Sequence, residues 1–244
     1  MSCIIEMKDV SYTAQNQLLT SELSYQFEEG KTTALVGPSG CGKSTVLKLA
    51  AGLIIPSAGE VLFRGIDIVR MSRPENLAFR REGAVVFQDS ALWANQSLIQ
   101  ILELPLRVHF PKMTKAEREK RIETVVGEVG YKKDLGIRPA QLSMGEQKLL
   151  AFARALMCSP RLLYLDEWTE SLDEHASRRL IDMVRKLRDD GVTILMVSHD
   201  IRIIRDLADI VVMIVGGQII LKLTREQITE DDDLSRYIEK GITS

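Results

Sequence analysis

The chain has 244 residues, 45% of them hydrophobic and 27% charged, an ordinary balance for a globular protein able to bury a core. Lys and Arg total 32 against 34 for Asp and Glu, a net charge of -2. With no bulk positive field, general binding to nucleic acid or to an acidic membrane surface is not expected. Cys3, Cys41 and Cys158 are widely spaced, fitting neither a zinc pattern nor a disulfide framework, so the default compartment is a reducing cytoplasm.

The first six residues reach Glu6 without a signal-peptide apolar stretch. Ile4–Tyr12 alternates like an antiparallel strand, and Glu60–Arg64 does the same. Between and beyond them come short, apolar runs at Thr33–Val36, Ala84–Phe87, Leu162–Leu165, Thr193–Val197 and Ile210–Val215. Runs of that kind predict strands covered on both faces, and helical stretches beginning near Lys43, Glu174 and Ile201 predict the cover. From about Ser90 to Arg138 no strand-like run occurs. Thr114–Val126 there is a highly charged helix whose plain explanation is a solvated face. A helical insertion in an α/β core is expected. Ile210–Leu221 is the most apolar stretch, yet it is 12 residues long and broken by Gly216, Gly217 and Gln218. A membrane span needs about 20 apolar residues, so strand, turn, strand is expected and no direct membrane insertion. The tail beyond Thr224 is expected to end in one helix around Asp233–Lys240.

The strongest local signal is Gly37-Pro38-Ser39-Gly40-Cys41-Gly42-Lys43-Ser44, a full G-x-x-x-x-G-K-[ST] match between a strand and a helix. Glycines let the backbone curl so that successive N–H groups point at phosphate oxygens, and the helix N-terminus adds partial positive charge. Lys43 is expected to reach the β- and γ-phosphates and the Ser44 hydroxyl to ligate Mg²⁺. A second element, Leu162–Glu167, delivers Asp166 and Glu167 at the end of a buried strand, where open α/β sheets bind ligands. Asp166 suits Mg²⁺ and Glu167 suits a general base. Gln88 and His199 each follow a strand, and Leu142-Ser143-Met144-Gly145-Glu146 opens a helix. Taken singly these have plain explanations: a loop residue, a strand-end histidine, and a capping box from Ser143 to Glu146.

As an ordered set, Gly37–Ser44, Gln88, Leu142–Glu146, Asp166-Glu167, Ser171-Leu172-Asp173 and His199 resemble the ATP-binding cassette (ABC) ATPase family over Ile4 to about Leu221. The resemblance implies a P-loop NTPase: an α/β, RecA-like core with an antiparallel β subdomain and an α-helical subdomain. One cassette, 1–244, is expected, with core segments near 1–89 and 159–224, helices near 90–158 and a tail at 225–244. It implies ATP and Mg²⁺ as cofactors, held by Gly37, Pro38, Ser39, Gly40, Cys41, Gly42, Lys43, Ser44 and Thr45, with Tyr12 stacking on adenine. An ordinary half-buried strand tyrosine serves equally well for Tyr12. Ser44, Gln88 and Asp166 fall to the metal, and Glu167, His199, Gln88 and Lys43 to catalysis.

Two cassettes meet head to tail in this family, so Ser143 and Gly145 would bind the nucleotide of a partner, a homodimer being expected, with Asp173 shaping the contact. The chain departs from the family pattern at Met144 and Glu146, at Trp168 in place of a proline and at Glu170 in place of a serine. A separate membrane permease is implied as partner, on the cytoplasmic face of the inner membrane. The stretches Met71–Arg73, Asp89–Asn95 and Leu104–Arg107 resemble cassettes of the mammalian-cell-entry and lipid-asymmetry type, which implies phospholipid as cargo. Small-solute import and a non-transport ATPase role are the alternatives.

Overall fold

The computed structural model describes residues 2–230. Two sheets form its frame. An antiparallel sheet in the order β2-β1-β4-β5 comprises β1 (Cys3–Ala14), β2 (Gln17–Glu28), β4 (Ala58–Phe63) and β5 (Ile66–Asp67). The larger sheet runs β10-β9-β3-β8-β7-β6, built from β3 (Thr32–Val36), β6 (Gly83–Val86), β7 (Leu162–Asp166), β8 (Thr193–Val197), β9 (Ile210–Val215) and β10 (Gln218–Thr224). Its strands are parallel except for β10, which returns antiparallel on β9.

Alternation along the central strands splits the core into two layers. Leu163 and Leu165 of β7, with Ile194 and Met196 of β8, face helices α3 (Leu98–His109), α4 (Lys115–Val129) and α5 (Met144–Leu156) through Leu102, Val125, Val129 and Leu150. Leu162, Tyr164, Leu195 and Val197 face the other way, onto α1 (Lys43–Ala50) and the antiparallel sheet through Val46, Leu47, Ile5 and Phe27. A period of two in a doubly covered strand explains why every residue of β3, β7 and β8 is buried. The charged helix α4 carries its own address for the core: Ile122, Val125, Val126 and Val129 form a buried stripe at helical spacing while its Glu, Lys and Arg residues face water.

The expected strands and helix starts agree with the structure to within one or two residues. Strand β2 and helices α2 and α8 are among the elements that went beyond the sequence reading. β2 pairs with β1 through a two-residue turn, Gln15-Asn16, both at positive φ (49° and 61°), the geometry of a tight hairpin. Helix α2 (Arg73–Glu82) starts at a capping box between Ser72 and Glu75. A short helix α8 (Arg225–Glu230) follows β10, and the helix expected around 233–240 lies outside the described residues. Helices α6 (Glu174–Asp189) and α7 (Ile201–Leu207) complete the fold. Among the described residues no helix is long and apolar enough to cross a membrane.

Tyr164 ties β7 to α1, its buried hydroxyl donating to the Ala50 carbonyl at 2.8 Å. Tyr164→Phe is expected to destabilise the chain by about 1 kcal/mol in urea unfolding, the typical worth of such a bond once its acceptor is left bare. An unchanged midpoint would show that the bond contributes nothing.

Candidate functional site

Parallel pairing in register brings the C-terminal ends of β3, β6, β7 and β8, with β9 beside β3, to one edge of the sheet. Val36 lies beside Met213, Leu35 beside Val197, Asp166 beside Val197, and Val86 beside Leu165. The residues just past those ends are Gly37, Gln88, Glu167 and His199. Sequence order scatters them over more than half the chain, and the sheet collects them.

The 37–44 loop leaves β3 under close constraint. A Cβ at Gly37 (φ 140°) would fall 2.1 Å from the Ile214 carbonyl oxygen, and one at Gly42 (φ 105°) would fall 2.7 Å from that of Leu19. Only glycine passes at either point. Pro38, Ser39, Gly40 and Cys41 form the turn, with Ser39 and Gly40 exposed and Cys41 buried. Lys43 is 7% exposed and folds back, donating to the carbonyls of Gly37 and Pro38 at 2.9 Å each. Its ammonium therefore sits over the loop it belongs to. Gly42 is the N-cap of α1 and supplies no side-chain cap, so the first helical turn, which carries Ser44 and Thr45, has no side-chain cap hydrogen bond. Ser44 Oγ donates to Asp166 Oδ1 at 2.9 Å. Two oxygens that suit a hard divalent cation thus stand in contact.

Glu167 follows Asp166 at positive φ (44°), with its N–H donating to Val197 O at 3.1 Å. That turn leaves the carboxyl 8% exposed, and burial, reinforced by Glu170 and Asp166, pushes it up to about pH 7. Its Oε1 has no hydrogen-bond donor in good geometry among the described residues, although His199 Nε2 is 3.1 Å away. The contact is close in distance but off line. Burial and the nearby Lys43 hold the His199 imidazole below its ordinary value, against a smaller opposite pull from Glu170. Burial also pushes Asp166 up, against the Ser44 hydrogen bond and the lysines around it. The result is a carboxyl group with one oxygen that accepts from no aligned donor, beside an imidazole held toward its neutral form.

Gln88 is exposed just past β6 and donates from Nε2 to Glu170 Oε2 at 3.1 Å. Glu170, read in the sequence only as a departure, is thus the present partner of Gln88 and a source of negative potential on Glu167. Trp168, the other departure in this turn, is fully buried with its ring 5.9 Å from that of Phe152 on α5. It anchors the strand end to the helical layer.

Ser143 and Gly145 are not brought to the 37–44 loop. Ser143 caps α5, accepting from Glu146 N at 3.2 Å, and Glu146 Oε2 accepts from Ser143 N at 3.0 Å, the expected capping box. Glu146 is also paired with Lys133 at 2.6 Å, and a Cβ on Gly145 would approach Ser171 O to 3.0 Å. Among the described residues no hydrogen bond or ion pair joins 142–146 to 37–44. Asp173 caps α6, accepting from Ala176 N at 2.8 Å. Tyr12 is half-buried on β1 opposite Thr20, in the hairpin whose Leu19 carbonyl touches Gly42. It lies on the strand behind the loop.

The raised Glu167 carboxyl has a thermodynamic sign. In the folded chain it keeps its proton up to about pH 7, against 4.5 for an ordinary glutamate, so its contribution to stability is lost as pH rises through that window. In chain free of nucleotide and divalent metal, Glu167→Gln is expected to gain melting temperature relative to the parent between about pH 5 and about pH 8. A constant difference across that range would place the carboxyl in water.

Known proteins of this shape and sequence are numerous. The family described as ABC transporter matches residues 20–170. The nickel import ATP-binding protein NikE of Brucella abortus (strain 2308) is 37% identical over 220 residues, 88% of this chain and 81% of that protein. NikE of Escherichia coli O6:K15:H31 is 34% identical over 233 residues, 93% of this chain and 87% of the relative. A dimeric post-hydrolysis state of the ATP-binding cassette MJ0796, bound to ADP and Pi, superposes with a TM-score of 0.84 at 27% identity, covering 91% of this chain and 99% of that one. cbiO1 from Clostridium perfringens, part of the ABC transporter complex cbiONQ, gives 0.77 at 25% identity over 98% and 95%. The phospholipid cargo expected from short stretches gains no support from these relatives. Of those stretches, Ser72 caps α2 and Trp93 lies against the Arg154 guanidinium at 5.8 Å, local roles that carry no cargo information. By sequence over most of its length and by fold, the chain belongs to the ATP-binding cassette family and is an ABC transporter ATPase.

Proposed function

We propose that this chain hydrolyses ATP at the 37–44 edge, as the ATPase subunit of an importer for a small solute, with a metal cation the leading class. The observation that carries the ATPase chemistry is the convergence of an uncapped helix N-terminus, a Ser44–Asp166 oxygen pair and a Glu167 oxygen without an aligned donor. These fit a nucleotide with a divalent cation, and nothing in the loop competes for its space except Lys43, which is a flexible cation. The main-chain N–H groups from Ser39 to Thr45 would take the phosphates, with Lys43 turning outward from its own loop to meet them. Ser44, Asp166 and Gln88 would hold Mg²⁺, which when bound neutralises charge on the phosphate oxygens. Glu167 would take the proton of the attacking water, and His199, whose Nε2 lies 3.1 Å from Glu167 Oε1, would turn its one N–H toward the terminal phosphate. Tyr12 would meet the adenine side.

The separation of Ser143 and Gly145 from that edge supports completion by a second copy, whose signature helix would face this loop. The dimeric state of the MJ0796 cassette is the precedent. For the permease the receptive surface is a groove of about 250 Å³ between the sheet edge and α3, lined by Arg81, Leu104, Pro105, Val108, His109 and Arg154. Trp93 beside it is 44% exposed, an aromatic placed for a partner rather than for internal packing. A peripheral position on the cytoplasmic face of the inner membrane follows from such a partner. The nickel-import names of the NikE relatives support the solute class.

Glu167→Gln keeps shape and removes the base, so phosphate release is expected to fall by about 10²–10⁴-fold while ATP binding persists. Lys43→Ala is expected to abolish ATP binding in calorimetry; unchanged affinity would remove Lys43 from the phosphates. Affinity-tagged chain drawn from detergent-extracted membranes is expected to carry a multi-span permease and to be accompanied by a solute-binding protein. A lipid-binding envelope protein in its place would reverse the choice of cargo.

A further inference from the structure

One buried cation takes no part in the chemistry above. Lys148 lies on α5, five residues after Ser143, and is 2% exposed. Its ammonium donates to the main-chain carbonyl oxygens of Phe87, at 3.2 Å, and of Gln88. Two turns further along the same helix, Arg154 donates to the carbonyls of Ser90 and Ala91. Ser90 (φ 62°) and Ala91 (φ 46°) are successive non-glycine residues in the left-handed region, a backbone that persists only where its surroundings hold it. Two cations of one helix therefore grip four carbonyls of the loop that carries Gln88. Phe152, between them on α5, packs on Trp168 next to Glu167.

Burying an ammonium on carbonyls alone is costly, and a buried lysine is rare unless its donors are satisfied. Burial pulls the Lys148 ammonium below its ordinary value, and the nearby acidic groups Glu170, Asp89, Asp166 and Glu167 offset that only in part, so the carbonyls of Phe87 and Gln88 are what hold it. We propose that Lys148 is a positioning residue that locks the signature helix to the Gln88 loop, so that the site a chain offers its partner and the site it holds itself move as one body. This rests on the two-cassette reading above. Ser143 would meet the partner's nucleotide and Gln88 the chain's own. A rigid tie between them makes engagement at one favour engagement at the other. Lys148 touches neither nucleotide.

The test uses the full chain in the Glu167→Gln background, with ATP affinity from calorimetry, ATP-driven association from sedimentation, and melting temperature as a check on folding. Adding Lys148→Met is expected to leave ATP affinity within about twofold and to weaken association by about 10-fold or more, the scale of a misplaced positioning group. Lys148→Arg, which keeps the cation and its donors, is expected to restore association. Association equal to the parent in Lys148→Met, or ATP affinity falling as far as association, would overturn the tie. Failure of Lys148→Arg to restore association in a normally folded chain would overturn it too. If the Glu167→Gln parent binds ATP and does not associate, the two-cassette reading falls and the tie falls with it.

Discussion

The 2.9 Å hydrogen bond from Ser44 to Asp166 joins the two halves of the chain at the point where the chemistry is proposed. It exists because β3 and β7 lie on either side of β8 and end level with it, so that a residue from position 44 meets one from 166. Everything polar at the edge depends on that level ending. A slip of one residue in either strand would turn its inward-facing side chains to the other layer and carry Asp166 away from Ser44. Side-chain shape and the buried Tyr164 hydrogen bond to Ala50 resist the slip, since Leu163 and Leu165 fit one layer and Leu162 and Tyr164 the other.

The same edge concentrates charge at a cost. Lys43, Asp166 and Glu167 are all buried, and Glu167 is pushed up to about pH 7 by burial and by its neighbours Glu170 and Asp166. Lys43 is satisfied by its own loop and Asp166 accepts from Ser44, while Glu167 Oε1 accepts from no aligned donor. A phosphate chain with a divalent cation would supply the missing partners on both sides, which gives binding a differential to spend on closure. Strain points the same way: Glu167, Ser90, Ala91 and Ser171 all hold positive φ around this edge.

Much of this was legible in the sequence, and the reasons differ by element. The phosphate loop was readable because Gly37 and Gly42 answer to backbone geometry that admits nothing else. Strands β3, β7, β8 and β9 were readable because burial on both faces selects mostly apolar residues, and β6, buried only at Val86, was readable from its short apolar run. β2 was not, because its alternation is loose: Leu18 is exposed, Thr20 is buried, and repeated register shifts against β1 break the period. The Gln15-Asn16 turn was the available signal. Of the departures from the family pattern, Met144 faces solvent and Trp168 is a core residue. The tie through Lys148 and Arg154 had no sequence signal, because a lysine and an arginine on a helix read as solvated until the loop they reach is known.

The dependence of phosphate release on chain concentration tests most directly the claim that this edge is an ATPase site completed by a second copy. With saturating Mg-ATP, phosphate release per chain is expected to rise with chain concentration toward a plateau, because only paired chains present Ser143 to a nucleotide. A release rate per chain that is the same at every concentration would contradict the account, and so would no release at the highest concentration with the permease present.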